Sequence, residues 1–245
     1  MVTILYEDEH CLAVSKPAGM STQAPVSPVP TAEDWLRSHL NPEDPGAAYV
    51  GTVHRLDRPV SGVLLFAKTS KAARRFSAQF ENRQVVKQYW AIVEGEVKAA
   101  SGVWEDWLTA EVLEGRRLAQ RVAPGTPRAR PARTRFERGE ARELPAALSW
   151  LRLWPETGRM HQLRAQAAGR GLPIVGDAVY GSRSEFGAGA IALHARRLEL
   201  RHPMSGEQLI LEAAVPAEWE AWGIRIGIEP PGTSREEPRG DVDRP

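Results

Sequence analysis

The chain has 245 residues, 42% hydrophobic and 26% charged, enough to bury a core without a disulfide or metal staple. Its single cysteine, Cys11, excludes an intramolecular disulfide and points to the cytoplasm, and no apolar stretch approaches the roughly 20 residues of a membrane helix, so a soluble, unexported protein is expected. The formal net charge of +1 hides an uneven spread: residues 114–143 carry nine arginines against four glutamates, whereas residues 229–245 carry five acids and three arginines, so a phosphate-bearing partner stays open.

Val2 to Tyr6 and Leu12 to Ser15 read as two strands of an opening hairpin around the polar turn Glu7 to His10. A Pro-rich loop, Ala24 to Pro30, leads to Thr31-Ala32-Glu33-Asp34, a capping-box pattern that starts a helix through Leu40; Asn41 to Gly46 ends it. Val63 to Ala67 is an apolar run of buried-strand length, and Ser70 is placed to cap a helix with Ala73, Phe76 and Phe80 on one face. Val85 to Val93, Trp150 to Trp154 and Leu198 to His202 have strand patterns. Between them the segment 114–133, rich in Arg, Pro and Gly, reads as an exposed loop or an extended hairpin. One folded unit is expected over residues 1–228; residues 229–245, with four prolines and no apolar pattern, read as a disordered tail.

Three stretches carry chemistry. In His54-Arg55-Leu56-Asp57-Arg58 an acid sits between two arginines at the mouth of a buried strand, where cations favour its ionised form; an ordinary ion-paired loop is the plainer reading. In Lys87-Gln88-Tyr89 the tyrosine shares a strand face with Lys87 and Ala91, as a core aromatic would. In Pro155 to Arg164, Thr157 is placed to cap a helix running to about Gly169, with His161 and Arg164 on one face. Such a helix start with Arg159 and Arg164 suits a phosphate or a carboxylate, and a solvated polar face suits it almost as well. A metal set of His54, Asp57 and His161 lacks a recurring ligand spacing, and no metal site is assigned.

Taken together these residues resemble a known family. HRLDRPVSG from His54, KQYWAIVEG from Lys87, PETGRMHQLRAQAAGRGLPIVGDAVYG from Pro155 and ALHARRLELRHPMSG from Ala192, with YEDEHCLAVSKPAGM near the start, resemble the RluA-type pseudouridine synthases in order and spacing. The resemblance extends from about Tyr6 to Pro216. It implies an α+β pseudouridine synthase fold, a mixed, mainly antiparallel sheet in two subdomains with a central active-site cleft. It implies that Asp57 is the catalytic carboxylate, that Arg164 pairs with it, that Tyr89 packs on the target base and that Leu193 lines its pocket. Arg55 would enter the RNA stack when the base leaves, and Arg58, Arg159 and His161 would contact the RNA. The chain departs from the common pattern at Ser15, Val60, Gln166 and Leu172, outside that set.

The implied activity is isomerisation of a uridine to pseudouridine in ribosomal or transfer RNA by a monomer acting on a structured stem-loop. The N1–C1′ bond breaks, C5 joins C1′ and C5 loses its proton; nothing is oxidised, so no cofactor is expected. A carboxylate beside an anomeric carbon can attack it or remove a neighbouring proton, and the sequence leaves both routes open. A glycosidase or N-glycosylase would also use an aspartate but needs a partner acid or a held water, and no partner acid stands out. A binding-only RNA module would have no call on Asp57, Tyr89 and Arg164 together.

Overall fold

The computed structural model describes residues 1–23, 29–113, 116–139, 144–145 and 147–220. Among these residues eleven strands form one sheet: β1 (Thr3–Glu7), β2 (Cys11–Lys16), β3 (Gly51–Thr52), β4 (Ser61–Ala67), β5 (Val86–Glu94), β6 (Ser101–Leu113), β7 (Arg116–Val122), β8 (Arg130–Arg138), β9 (Leu148–Pro155), β10 (Leu193–Arg201) and β11 (Gln208–Glu212). Their order is β1-β2-β4-β10-β5-β9-β8-β6-β7, with β11 beside β10 and β3 beside β4. Among the described residues only β4 and β10 pair in parallel, through Ser61 and Gly62 against His194 and Ala195. The mixed, mainly antiparallel sheet implied by the family pattern is therefore present, and it runs unbroken through both halves of the molecule.

The first half is a two-sided sandwich. Helix α1 (Ala32–Leu40) covers one face and α2 (Ser70–Glu81) the other. Because successive strand residues point to opposite faces, Leu12, Val14, Leu64 and Phe66 pack with Leu36 of α1, while Cys11, Ala13, Val63 and Leu65 pack with Ala72 and Phe76 of α2. A strand buried on both sides needs apolar residues at every position, which is why β4 reads as a continuous run rather than an alternation. The capping box at Thr31 and Asp34 forms as the pattern predicts. In α2 the cap is Thr69 rather than Ser70; its side chain accepts from the Ala72 N–H.

In the second half β6 pairs with β7 on one side and β8 on the other, so the arginine-rich segment 116–133 is largely sheet: the extended hairpin forms and the loop reading does not. Helix α3 (Gln162–Ala168) lies against this arm through Ala165, which packs with Leu108, Ala119 and Ala132. Buried Gln166 donates to Asp106 at 2.8 Å and to Trp104 O at 3.1 Å and accepts from the Thr134 hydroxyl at 2.6 Å. A short helix α4 (Ala217–Glu220) buries Trp219 on the sheet. Among the described residues no helix is long and apolar enough to cross a membrane. The predicted tail, 229–245, and most of the loop 24–30 lie outside the described residues.

Candidate active site

The loop that ends at β4 is fixed from behind. Leu56 exchanges two hydrogen bonds with Thr22 Oγ1 (2.9 and 3.1 Å), the Gly19 N–H donates to Arg58 O at 2.8 Å, and fully buried Lys16 donates to Pro17 O, Met20 O and, at 3.4 Å, Arg58 O. Gly62, with φ 117°, lets β4 meet β10 directly after this loop: a Cβ there would lie 2.2 Å from Ala195 O. The loop thereby presents Asp57, its side chain 31% exposed, to a cleft of about 630 Å³ lined by Arg55, Tyr89, Arg159, His161, Arg164 and Leu193 among others.

Facing Asp57 is a buried guanidinium. Arg164, on α3, donates from Nη1 to Asp57 Oδ2 at 3.1 Å, but its two-point grip is on Asp177, with Nε to Oδ2 at 2.7 Å and Nη2 to Oδ1 at 2.9 Å. Asp177 is 1% exposed, and the guanidinium also lies over the Tyr180 ring, 4.8 Å from its centroid. Burial works against the Arg164 charge, yet the hydrogen bonds and charges of Asp177 and Asp57 raise its pKa further, so it is always a cation. A planar fork held by one carboxylate thus aims its remaining N–H at a second.

His161 starts α3 in a left-handed conformation (φ 48°, ψ 26°) and offers the helix no side-chain cap. Its Nε2 lies 3.8 Å from Asp57 Oδ2 and its Nδ1 2.9 Å from Tyr180 Oη. The predicted Thr157 cap does not form, because the Thr157 hydroxyl is drawn into the sheet, donating to Gln162 Oε1 (2.7 Å) and accepting from Arg133 N–H (2.9 Å). Half-buried Tyr89 stands on β5 with its pKa raised, first by burial and then by the Asp57 charge, so it is a neutral phenol. Two positions earlier Lys87 reaches Thr157 O at 3.4 Å, and burial lowers its pKa to about 8.

A family model described as RNA pseudouridylate synthase matches residues 10–169, which carry the Asp57 loop, Tyr89 and Arg164. The tRNA pseudouridine synthase C of Yersinia pestis is 37% identical over 93% of this chain and 91% of its own length, and that of Vibrio cholerae 33% identical over 90% and 93%. The chain belongs to the RNA pseudouridylate synthase family. This pseudouridine synthase, an RNA-modifying isomerase, also superposes on human RNA Pseudouridylate Synthase Domain Containing 1 with a TM-score of 0.71 and 26% identity over 88% of this chain and 84% of that one. Human RNA Pseudouridylate Synthase Domain Containing 4 shares the fold at the same score and 22% identity over 91% and 94%.

Within this family member, Asp57, Tyr89, Arg164, Arg55, Arg159, His161 and Leu193 all reach one cleft, as their motifs imply. Arg58 does not line it: the side chain is exposed and its Nε donates to Gly19 O at 2.9 Å, tying two loops together. His54 is not placed as a metal ligand, since its Nε2 accepts the Leu65 N–H at 2.9 Å and its ring stacks on Phe80. The cation beside Asp57 is Arg164, 107 positions away, and not its chain neighbours. Asp177 and Tyr180 stand in the segment ending GDAVYG, where a lone acid between glycines carries no signal until the fold turns it toward Arg164.

Proposed function

We propose that this pseudouridine synthase acts on transfer RNA, with Asp57 as its catalytic carboxylate and Arg164 as the group that orients it. The observation that carries the reading is the buried Asp177–Arg164 pair delivering one N–H to a half-exposed Asp57 at the wall of a nucleotide-sized cleft. The carboxylate keeps one oxygen free of the guanidinium to meet C1′ or the C2′ proton of a uridine drawn out of its helix, an extrusion that costs a few kcal/mol and needs a surface to receive the base. Tyr89 stacks on that base, Leu193 closes its pocket, and Arg55 fills the gap left in the RNA. Arg159, its Nε on Pro131 O, and His161 face the RNA at the cleft, and Arg58 supports the Asp57 loop from the outer side.

The choice of transfer RNA follows the names of the Yersinia and Vibrio relatives. One chain supplies every residue of this set, which supports a monomer working in the cytoplasm, where the substrate resides. Pseudouridine mapping of transfer and ribosomal RNA from cells lacking the gene tests the proposal. Loss of one transfer-RNA pseudouridine, restored by the wild-type gene and not by the Asp57→Asn allele, is expected; loss confined to ribosomal RNA overturns the substrate assignment.

A further inference from the structure

His161 ends a chain of contacts that crosses the cleft wall. The Ala119 N–H on β7 donates to Tyr180 Oη at 2.9 Å, His161 Nδ1 lies 2.9 Å from the same oxygen, and Nε2 stands 3.8 Å from Asp57 Oδ2. A phenol oxygen has two lone pairs and can accept from both nitrogens; in the tautomer that carries the proton on Nδ1, the Nε2 lone pair faces the cleft. The ring is held edge-on to Tyr180, and its side chain stays 19% exposed. The left-handed backbone at a residue with a Cβ is a local cost, of the kind kept where a side chain must be aimed.

Uridine isomerisation needs a second proton-acceptor step, because the proton on C5 comes off only after the base has turned and joined C1′. We propose that His161 Nε2 receives that proton, an assignment that rests on reading the cleft as a uridine-isomerising site. In the C5-linked, sp³ tautomer the C5–H bond breaks and its electron pair becomes the C5=C6 bond. The C6=N1 pair returns to N1, which takes a proton from water, and the imidazolium then gives its proton to solvent. The step is redox-neutral and consumes nothing. By this stage Asp57 is again a free carboxylate, and its charge beside Nε2 stabilises the imidazolium as it forms.

Four other titratable groups lining the cleft are committed elsewhere, while Lys87 and Glu81 line it without contacting His161. His54 Nε2 already accepts the Leu65 N–H, Glu156 pairs with Arg133, Arg164 spends its fork on Asp177, and Tyr89 is held as a phenol. The charged groups facing His161 are Asp57 from the loop, Arg164 from α3 and Asp177 before the turn Ala178–Tyr180, and the neutral phenol of Tyr180 packs beside them. Burial outweighs the pull of Asp57 and lowers the imidazole pKa, which leaves the ring neutral and ready to accept.

Single-turnover rates on RNA carrying normal or C5-deuterated uridine, for the wild type, His161→Asn and His161→Gly, test the proposal; both substituents tolerate the left-handed backbone, so the fold is kept. Expected, with enzyme saturating over RNA, are a rate lower by about a hundredfold or more, a larger deuterium isotope effect than wild type, and partial recovery of His161→Gly by added imidazole. A rate loss below about tenfold, or a loss that tracks weakened RNA binding with no rise in the isotope effect, overturns it. A wild-type enzyme that releases no label from C5 would instead overturn the reading of the cleft, so the two failures are distinct.

Discussion

Arg164 stands between two carboxylates, and the division of its hydrogen bonds decides what each substitution should do. The group Asp57, Arg164 and Asp177 carries one negative charge in excess, and Arg164 and Asp177 are 6% and 1% exposed. Asp57→Asn removes that excess, so it should leave a folded protein that binds RNA and melts no lower than wild type, yet releases no tritium from C5-labelled uridine; appreciable release would remove Asp57 from the mechanism. Arg164→Ala strands two acids and should cost roughly 3 to 5 kcal/mol. Arg164→Lys restores the charge but not a fork that spans Asp177 and still reaches Asp57, so its rate should remain near that of the alanine variant while part of the stability returns. Melting temperatures and single-turnover rates separate these effects, and a lysine variant with near-normal turnover would sink the orienting role.

At the scale of the element, the arm built from β6, β7 and β8 is arginine-rich, but several of its arginines serve the fold. Arg133 is held by Glu105 and Glu156, Arg121 by Asp106 and Gly169 O, and Arg135 lies 3.8 Å from the centroid of the Trp154 ring. Exposed Arg128 and Arg130 have no acidic partner among the described residues. Replacing both by alanine should therefore flatten the salt dependence of RNA binding by about one unit per lost phosphate contact, whereas Arg133→Ala should lower stability and leave the slope nearly unchanged. Affinities measured across a salt series check this, and an unaltered slope in the double variant would make the arm a bystander. The junction of β4 and β10 is less forgiving. Gly62→Ala drives a Cβ into the Ala195 backbone and should cost roughly 3 kcal/mol or more, read as a fall in melting temperature.

The whole molecule depends on a sheet whose parallel junction is locked by a histidine. His194 is fully buried, with Nδ1 2.9 Å from Ser61 Oγ and Nε2 3.2 Å from Ala213 O, and burial lowers its pKa to about 4. The unfolded chain protonates this residue near pH 6.5 and the folded chain does not, so the unfolded state binds more protons between about pH 6.5 and 4. Stability should fall as the pH drops through that window, by an amount on the order of a few kcal/mol. Denaturant unfolding at stepped pH values checks the trend, and His194→Gln, less stable near neutrality, should show a shallower acid limb.

What the sequence determined by itself was local or carried by pattern. The Thr31 capping box, the opening hairpin and the all-apolar β4 depend on residues a few positions apart, and the motif order marked Asp57, Tyr89 and Arg164 for one cleft. The arginine-rich segment was not decided, because a strand in a solvent-facing arm shows little alternation and its pairing partner β6 is chosen by the sheet. Thr157 misled because a hydroxyl before a helix caps it only if nothing better is in reach, and here Gln162 and β8 are. Only the tertiary structure gave Arg164 its second acid and His161 its aim, since Asp177 and Tyr180 enter the site through a turn whose position depends on the packing of α3 against the arm. Ion pairing and hydrogen bonding act over a few ångströms of space, and no spacing along the chain encodes which carboxylate a buried guanidinium will hold.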